Sequence, residues 1–493
     1  MSEHVSAYVS QRELPRLPAP RSEAGLIATL RKNLFATPYD SVVTIVLGIF
    51  VVWLAWNLIE WGILTAVFTG ANREACVPAE GQVIGACWAF VNAKMGQFIY
   101  GLYPVAERWR IDLVHLLLVV FAVPLAIPSV PWKRLNALLL FAVYPIVALV
   151  LMTGGDFGIG GGWISFLFAI AAFVAIAVAG TSLQVSERYV RIATWLATAA
   201  IIVLFASNIV RSESFRVLGF EFTALSLVST LLAFGSVAAS VAASVTNNQR
   251  LKVLVAPVVM LAVILFLSAD FGLREVPTHL WGGLSLTLVV AITGIAASLP
   301  LGILLALGRR SHLPAIKLLS IIFIEFWRGV PLITVLFMSA FMIPLLLPDG
   351  VTFNNLLRAL IGVALFSAAY LAEVIRGGLQ AIQKGQFEGA QALGLSYWQM
   401  MRFIIMPQAL KLVIPGIVNS FISMFKDTSL VYIIGLADLL GTVRRGFADP
   451  AWITPSTAAT GLVFAGFVYW VFCFGMSRYS QFIERRLETG HRR

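Results

Sequence analysis

The sequence predicts an all-α polytopic membrane protein with about twelve transmembrane helices, and three observations carry that prediction. Of 493 residues, 59% are hydrophobic and only 12% charged, with a mean hydropathy of +0.89. Soluble domains are roughly half apolar and about a quarter charged. Apolar runs of ~20 residues, the length a helix needs to cross hydrocarbon, recur along most of the chain. Basic residues punctuate these runs mainly on one side, as cytoplasmic loops do. The net charge of +11 is explained by those loops facing anionic headgroups, so it calls for no nucleic acid.

The first segment, residues 1–40, is polar and rich in Pro and Arg (RELPRLPAPRSEAG, then LRKNLFATPYD). It reads as a cytoplasmic tail, disordered in its first part, and has no apolar core of a cleavable signal peptide. The spans that follow read as 42–68, 112–130, 135–153, 163–181, 192–210, 222–244, 251–268, 280–307, 314–346, 354–379, 408–434 and 457–477. Between the first two, residues 88–104 are apolar but interrupted by Asn92, Lys94 and Gln97, which fits an interfacial or re-entrant helix better than a span.

Cys76 and Cys87 flank the short polar segment CVPAEGQVIGAC after the first span. If that segment is external, the two can pair in an oxidising compartment; the alternative is two free buried thiols. Cys473 lies inside an apolar run and reads as a small core residue. Three cysteines are too few for a disulfide scaffold or a Cys-based zinc site.

Orientation follows from Arg31/Lys32, Lys133/Arg134, Arg188/Arg191, Arg250/Lys252, Arg309/Arg310, Lys384/Arg402 and Arg485/Arg486, which all fall on one side. Both termini are then cytoplasmic; Arg211 and Arg216 fall outside and are the weak point of the scheme. Asp156-Phe157-Gly158 leading to Trp163 is echoed by Asp270-Phe271-Gly272 leading to Trp281. The spans between these two loops read either as an insertion, tolerated because an even number preserves topology, or as a chance three-residue match. The domain scheme is therefore residues 41–155 as N-terminal spans, 156–275 as additional spans, and 276–493 as a distinct C-terminal core.

No GxxxxGK[ST] phosphate loop, HExxH or GxSxG occurs, and the five His residues are scattered, so bond-making chemistry is not expected of this chain. Polarity concentrates instead in Glu388 to Leu410, EGAQALGLSYWQMMRFIIMPQAL. Good helix formers lead to Gly394, a natural stop in the left-handed conformation. Ser396-Tyr397-Trp398-Gln399 matches the S-x-x-Q box that starts a new helix. Pro407 either limits that helix or opens the next span. The expected product is a helix–turn–helix elbow at the cytoplasmic surface, presenting Ala390, Leu393, Tyr397, Trp398 and Met401 as an apolar set. On physics alone it is either a docking knob for another protein or an ordinary interfacial helix.

Glu388-Gly389-Ala390, then Gly394, then Ile404-Ile405-Met406-Pro407 resembles the EAA loop of ABC importer permeases (E-A-A-x3-G-x9-I-x-L-P), with Gly389 in place of Ala and Met406 in place of Leu. TLVVAITGIAASLPLGILLALGR, FIEFWRGVPLITVLF, SAAYLAEVIRGGLQAIQKGQ and NSFISMFKDTSLVYIIGLADLL are similar in order and spacing to the polar amino-acid permease subfamily. That resemblance covers residues 279–490. REACV…GACWAF and YPVAERWR resemble the second permease of broad-specificity L-amino-acid importers. Val330 stands where the family often has Thr in its RGTP motif.

The resemblance implies a five-helix type I ABC importer permease core and a multi-pass place in the bacterial inner membrane. It implies a second, homologous permease as heterodimer partner, an ABC ATPase dimer and a periplasmic amino-acid-binding protein, with an amino acid as substrate. The permease would carry no cofactor of its own, ATP and Mg being bound by the ATPase. Glu388, Gly389, Ala390, Leu393, Gly394, Trp398 and Pro407, within the 388–407 loop, become the ATPase-coupling residues. The alternative is a channel or ion-coupled secondary transporter that works without an ATPase, whose mark would be inverted repeats of discontinuous helices.

Ionisable residues at membrane depth are costly and therefore functional candidates. Glu325 and Arg328 (IEFWRGVP) and Lys426 and Asp427 (MFKDTS) qualify, and Asn419, Ser423, Thr428 and Ser429 lie on the same late span as the latter pair. Helix-like spacing lets several of them face one cavity, where acidic, basic and hydroxyl groups can hold an amino acid's ammonium and carboxylate. The competing reading makes the four charges interhelical salt bridges. Glu373, Arg376 and Lys384 read as structural or gating charges.

Overall fold

The computed structural model describes residues 26–77, 83–155, 157, 159–180, 186–207, 210, 213–348, 351 and 353–488. Of the Asp-Phe-Gly echo, Asp156 and Gly158 lie outside the described residues, as does Arg211. The chain divides into two compact units, Met1–Asn92 with Thr454–Thr460, and Ala93–Ile453 with Gly461–Arg493.

The smaller unit begins with α1 (Leu26–Leu34) and α2 (Pro38–Ile59). Thr37 caps α2, its hydroxyl accepting from Asp40 N at 3.1 Å while the Asp40 carboxylate accepts from Thr37 N at 3.2 Å. This reciprocal box, with Pro38 in the first turn, sets the start of the helix. No residue of α2 is buried within the chain, although the helix is apolar all round. Such a surface is stable only against lipid or another protein. Beyond it Cys76 and Cys87 are joined, their Cα atoms 5.6 Å apart. The bridge is tied down by Cys87 N, which donates to Thr460 Oγ1 at 2.9 Å, and by Trp88 Nε1, which donates to Gly62 O at 2.8 Å. Helix α3 (Trp88–Tyr100) has 13 residues, roughly 20 Å, too short to span.

In the larger unit, α4 (Arg108–Ala126) is followed by α5 (Lys133–Leu138) and α6 (Tyr144–Thr153), which a π-helical turn joins into one span, Lys133–Thr153. Next come α7 (Gly161–Gly180), α8 (Glu187–Ala206), the antiparallel hairpin β1 (Ser214–Val217) and β2 (Phe220–Thr223), α9 (Ala224–Ala243) and α10 (Asn247–Leu267). Among the described residues the hairpin is the exception to helical structure, and it pairs Arg216 with Glu221 at 3.2 Å. These four helices share an apolar core of their own, built on Ile164, Phe168, Ala172, Ala197, Ala233 and Val253. Small residues let the backbones approach. Ser229 Oγ donates to Ala200 O and Ser236 Oγ to Ala193 O, both at 2.8 Å, so these two buried hydroxyls are satisfied by the neighbouring helix.

The C-terminal core comprises α11 (Gly283–Arg309), α12 (Pro314–Gly329), α13 (Leu332–Leu346), α14 (Asn355–Ala381), α15 (Lys384–Ala392), α16 (Tyr397–Met400), α17 (Met406–Asp427), α18 (Leu439–Gly446) and α19 (Pro455–Glu488). Among the described residues eleven helices are long and apolar enough to cross a membrane, or twelve if α12 and α13 count as one. Residues 314–346, expected as one span, fold as this pair of helices, with a bend of 109° between them. The cause is Pro331, which forces Val330 into extended backbone, φ −109°, ψ 135°. α14 packs on α11 and α17 through glycines. A Cβ on Gly302 would lie 2.9 Å from Leu371 Cβ, and one on Gly378 would lie 2.6 Å from Ala409 O.

Candidate functional site

The elbow is a local product of its sequence. Gly394 adopts φ +71°, and a Cβ there would meet nothing, so glycine is needed for the dihedral and not for space. Its N–H and that of Leu395 donate to Gln391 O and Ala390 O at 2.9 and 3.3 Å, closing α15. Ser396 then caps α16: its N–H donates to Gln399 Oε1 at 2.9 Å, and its hydroxyl accepts from Gln399 N at 3.4 Å. A π-helical turn, Met401–Ile405, carries α16 into α17 without a break, and Pro407 sits in the first turn of α17. Pro407 therefore opens the span, and residues Tyr397–Ile434 form one helical run.

The expected apolar face divides in two. Leu393 is 77% exposed and Trp398 66%, with Glu388, Gly389 and Tyr397 also exposed. Ala390 (2%) and Met401 are buried instead against Ile375, Leu379 and Ile405. This corrects the single presented surface: Ala390 and Met401 seat the elbow, because the helix repeat turns them toward α14. Gln408 Nε2 donates to Gln386 Oε1 at 3.0 Å and Arg310 lies 5.5 Å over the Phe387 ring, which fastens the elbow to the bundle.

Above it lies a cluster of five charges from three helices. Arg309 donates to Glu325 at 2.9 Å and to Glu373 Oε1 at 2.7 Å. Arg376 grips Glu373 Oε2 through Nε at 2.9 Å and Nη2 at 2.8 Å, while Arg328 Nη1 stands 3.9 Å from the same oxygen. Glu325 and Arg328, candidates for the substrate pathway, join interhelical ion pairs; neither is among the lining residues of the cavity described next, but Arg328 lies 5.7 Å over the ring of Tyr370, one of its walls. Glu373 is the hub, sharing its carboxylate among three guanidinium groups.

A cavity of about 390 Å³ opens between α11, α14 and α17. Phe366, Tyr370 and Phe421 supply aromatic walls; Ser298, Ser367, Ser420, Ser423 and Asn419 supply hydroxyl and amide groups; Asp427 is its one ionisable carboxylate. Asn419, Ser423 and Asp427 therefore meet as expected, at steps of four along α17. The remaining candidates do not. Lys426 projects from the exposed side. Ser429 Oγ donates to Lys426 O at 2.9 Å. Thr428 is buried, donating to Phe425 O at 2.7 Å, with Tyr469 Oη 3.4 Å away.

Tyr469 in turn donates to Asp438 Oδ2 at 2.8 Å. Asp438 is fully buried and caps α18, accepting from Leu440 N at 3.1 Å and Gly441 N at 2.9 Å. Burial pushes its carboxyl above the usual range, against the pull of the hydrogen bonds it accepts. Nearby, Asp449 pairs with Lys94, and that hydrogen bond holds its carboxyl below the usual range.

Sequence reasoning missed Arg309 and the cavity residues Ser298, Ser367 and Tyr370. Ser367 and Tyr370 stand at i and i+3, with Glu373 three further on, a one-face pattern that the sequence does contain. Among the described residues no cluster of three or more His, Cys, Asp or Glu is placed to hold a metal.

Residues 298–489 match the family described as binding-protein-dependent transport system inner membrane component. Across nearly its whole length the chain is similar to the inner membrane amino-acid ABC transporter permease protein YhdY of Escherichia coli, with 39% identity over 97% of each chain. It is likewise similar to the glutamate/glutamine/aspartate/asparagine transport system permease protein BztC of Rhodobacter capsulatus, with 37% identity over 99% of each. Among solved structures, an amino acid ABC transporter crystallised with histidines shares 30% identity, covering 41% of this chain and 92% of that one, with a TM-score of 0.37.

Proposed function

We infer, on the premise that this chain belongs to the amino-acid ABC transporter permeases, that it is the membrane-spanning permease subunit of an ATP-driven amino-acid importer. It is a transporter component and not an enzyme. The observation that carries the reading is full-length similarity to amino-acid permeases in a chain whose elbow leaves Leu393 and Trp398 bare. Exposed aromatic and aliphatic anchors with a polar rim are what a protein partner needs.

In this reading Glu388, Gly389, Leu393, Gly394 and Trp398 face an ATPase dimer that binds ATP and Mg, while buried Ala390 seats the elbow and Pro407 opens α17 behind it. A homologous second permease completes the membrane part, and a binding protein delivers the amino acid from the far side. The elbow then lies in the cytoplasm with both termini, and the membrane is the bacterial inner membrane. The substrate passes the cavity at Asp427, Ser423 and Asn419. An intramembrane carboxylate at the C-terminal, negative end of α17 suits an ammonium group.

Co-purification tests this. The chain should retain an ATPase that is lost when Leu393 and Trp398 are both changed to Ala, and vesicles holding the complex should accumulate amino acid only with ATP inside and binding protein outside. Uptake by the purified chain alone, without ATPase, would establish the channel or ion-coupled alternative instead.

A further inference from the structure

Charge counting around the cavity singles out one residue. The cluster holds three arginines, Arg309, Arg328 and Arg376, against two carboxylates, Glu325 and Glu373. Arg309 and Arg376 take the close contacts, at 2.7–2.9 Å. Arg328 is left with a single 3.9 Å approach to an oxygen already gripped twice by Arg376, and its side chain is 37% exposed. A guanidinium held this loosely can leave its carboxylate at little cost.

Its position matters as much as its pairing. Arg328 lies 5.7 Å over the ring of Tyr370, and Tyr370 is a wall of the cavity. α14 and α17 run antiparallel, with Gly378 beside Ala409 and Ser367 bonded to Met424 at 3.1 Å. Tyr370 therefore stands at the level of Asn419 and Ser420, whereas Asp427 closes the opposite end, roughly 11 Å along the helix. The cavity is dipolar, acidic at one end and flanked by a surplus cation at the other.

We propose that Arg328 is the carboxylate-recognition residue of the transport cavity, exchanging its weak contact with Glu373 for the carboxylate of an amino acid whose ammonium lies toward Asp427. The proposal rests on the reading of that cavity as the transport site. It assigns the substrate as a zwitterion gripped by its two charged ends, with hydroxyl-lined space between them for differing side chains. An arginine held over an aromatic ring keeps its planar fork oriented, which a lysine would not.

The test uses the permease–ATPase complex without binding protein, with L-glutamine as the probe, so that the half-saturating concentration reads the cavity itself and is separated from the maximal rate; uptake is measured on the whole importer in vesicles. In Arg328→Gln the half-saturating concentration for substrate-stimulated ATP hydrolysis should rise about tenfold or more, the loss expected for one charge-assisted contact. Arg328→Lys should recover part of it. Glu373→Gln frees Arg328 from its competitor and should not raise the half-saturating concentration. If Arg328→Gln and Arg328→Lys lower only the maximal rate, leaving half-saturation unchanged, Arg328 is a structural ion-pair member and the proposal fails while the cavity reading stands. If Asp427→Asn and Ser423→Leu also leave half-saturation and uptake unchanged, the cavity itself is not the transport site.

Discussion

Arg309, the last residue of α11, donates at 2.7 Å to Glu373 in the last third of α14, the two being 64 residues apart in sequence. The contact holds three helices at one point, since Glu325 of α12 shares the same guanidinium. Removing Glu373 leaves Arg309, Arg328 and Arg376 with Glu325 as the one carboxylate of the cluster. Glu373→Gln should therefore destabilise the purified protein by about 2 kcal/mol or more, and more than Glu325→Gln, whose carboxylate is 54% exposed. Thermal unfolding of the two variants in one detergent checks the order.

At the elbow, contact and seat should separate. Trp398→Ala and Glu388→Lys leave the packing of Ala390 and Met401 untouched, so folding and yield should match the parent. Losing an exposed aromatic anchor should weaken ATPase association by about 2 kcal/mol, or roughly thirtyfold. Glu388→Lys should keep the complex together while uncoupling ATP hydrolysis from uptake. Ala390→Leu should behave in the opposite way, lowering the unfolding midpoint first, because its side chain has no room beside Ile375 and Leu379. Paired ATPase-binding and melting measurements distinguish the two classes.

Asp427→Asn keeps the size of the one carboxylate in the cavity and removes its charge. Uptake should fall by about tenfold, with the ATPase still bound. Unchanged uptake and unchanged preference among amino acids would exclude Asp427 from the pathway.

Asp438 should prove structural. Asp438→Ala removes the cap of α18 and leaves the Tyr469 hydroxyl without its acceptor, a loss of about 2–4 kcal/mol. Asp438→Asn keeps an acceptor for both and should restore most of it. Tyr469→Phe, which removes only the donor, should cost about 1 kcal/mol. Chemical denaturation or heating of the three variants gives the ranking.

The Lys94–Asp449 pair carries a pH signature. Because the folded-state carboxyl titrates below its unfolded value, near 3.9, the pair's stabilisation is fully present above that value. It is lost as pH falls through the depressed folded value. Lys94→Met should lower the unfolding midpoint at about pH 7, and the difference from the parent should shrink as pH falls below the unfolded carboxyl value and through the depressed folded one.

What the sequence makes legible here is what is local. Gly394, the Ser396–Gln399 box and the apolar runs depend on residues within a few positions of one another, and each appears where the pattern predicts. The direction a helix face takes is not local. Ala390 and Trp398 belong to one apolar set by composition, yet only the neighbouring α14 decides that one is buried and the other bare. Glu325 and Arg328 stand out as costly charges, but their partners Arg309 and Glu373 lie on other helices, so the pairing is invisible without the fold. The break at Val330 hides inside a continuous apolar run, although Pro331 marks it. Asn419, Ser423 and Asp427 were legible because a single helix carries all three.

The uninterrupted passage from α16 through α17 gives the elbow mechanical advantage. From Tyr397 to Asp427 is 30 steps of helix, roughly 45 Å at 1.5 Å per residue. A rod of that length tilted by about 10° at its foot moves its tip by about 8 Å. The tip bears Asp427, and the foot is the capped turn beside Trp398. A small rotation of whatever grips the foot becomes a displacement the width of an amino acid at the cavity, with the π-turn and Pro415 as the two places where the lever can flex.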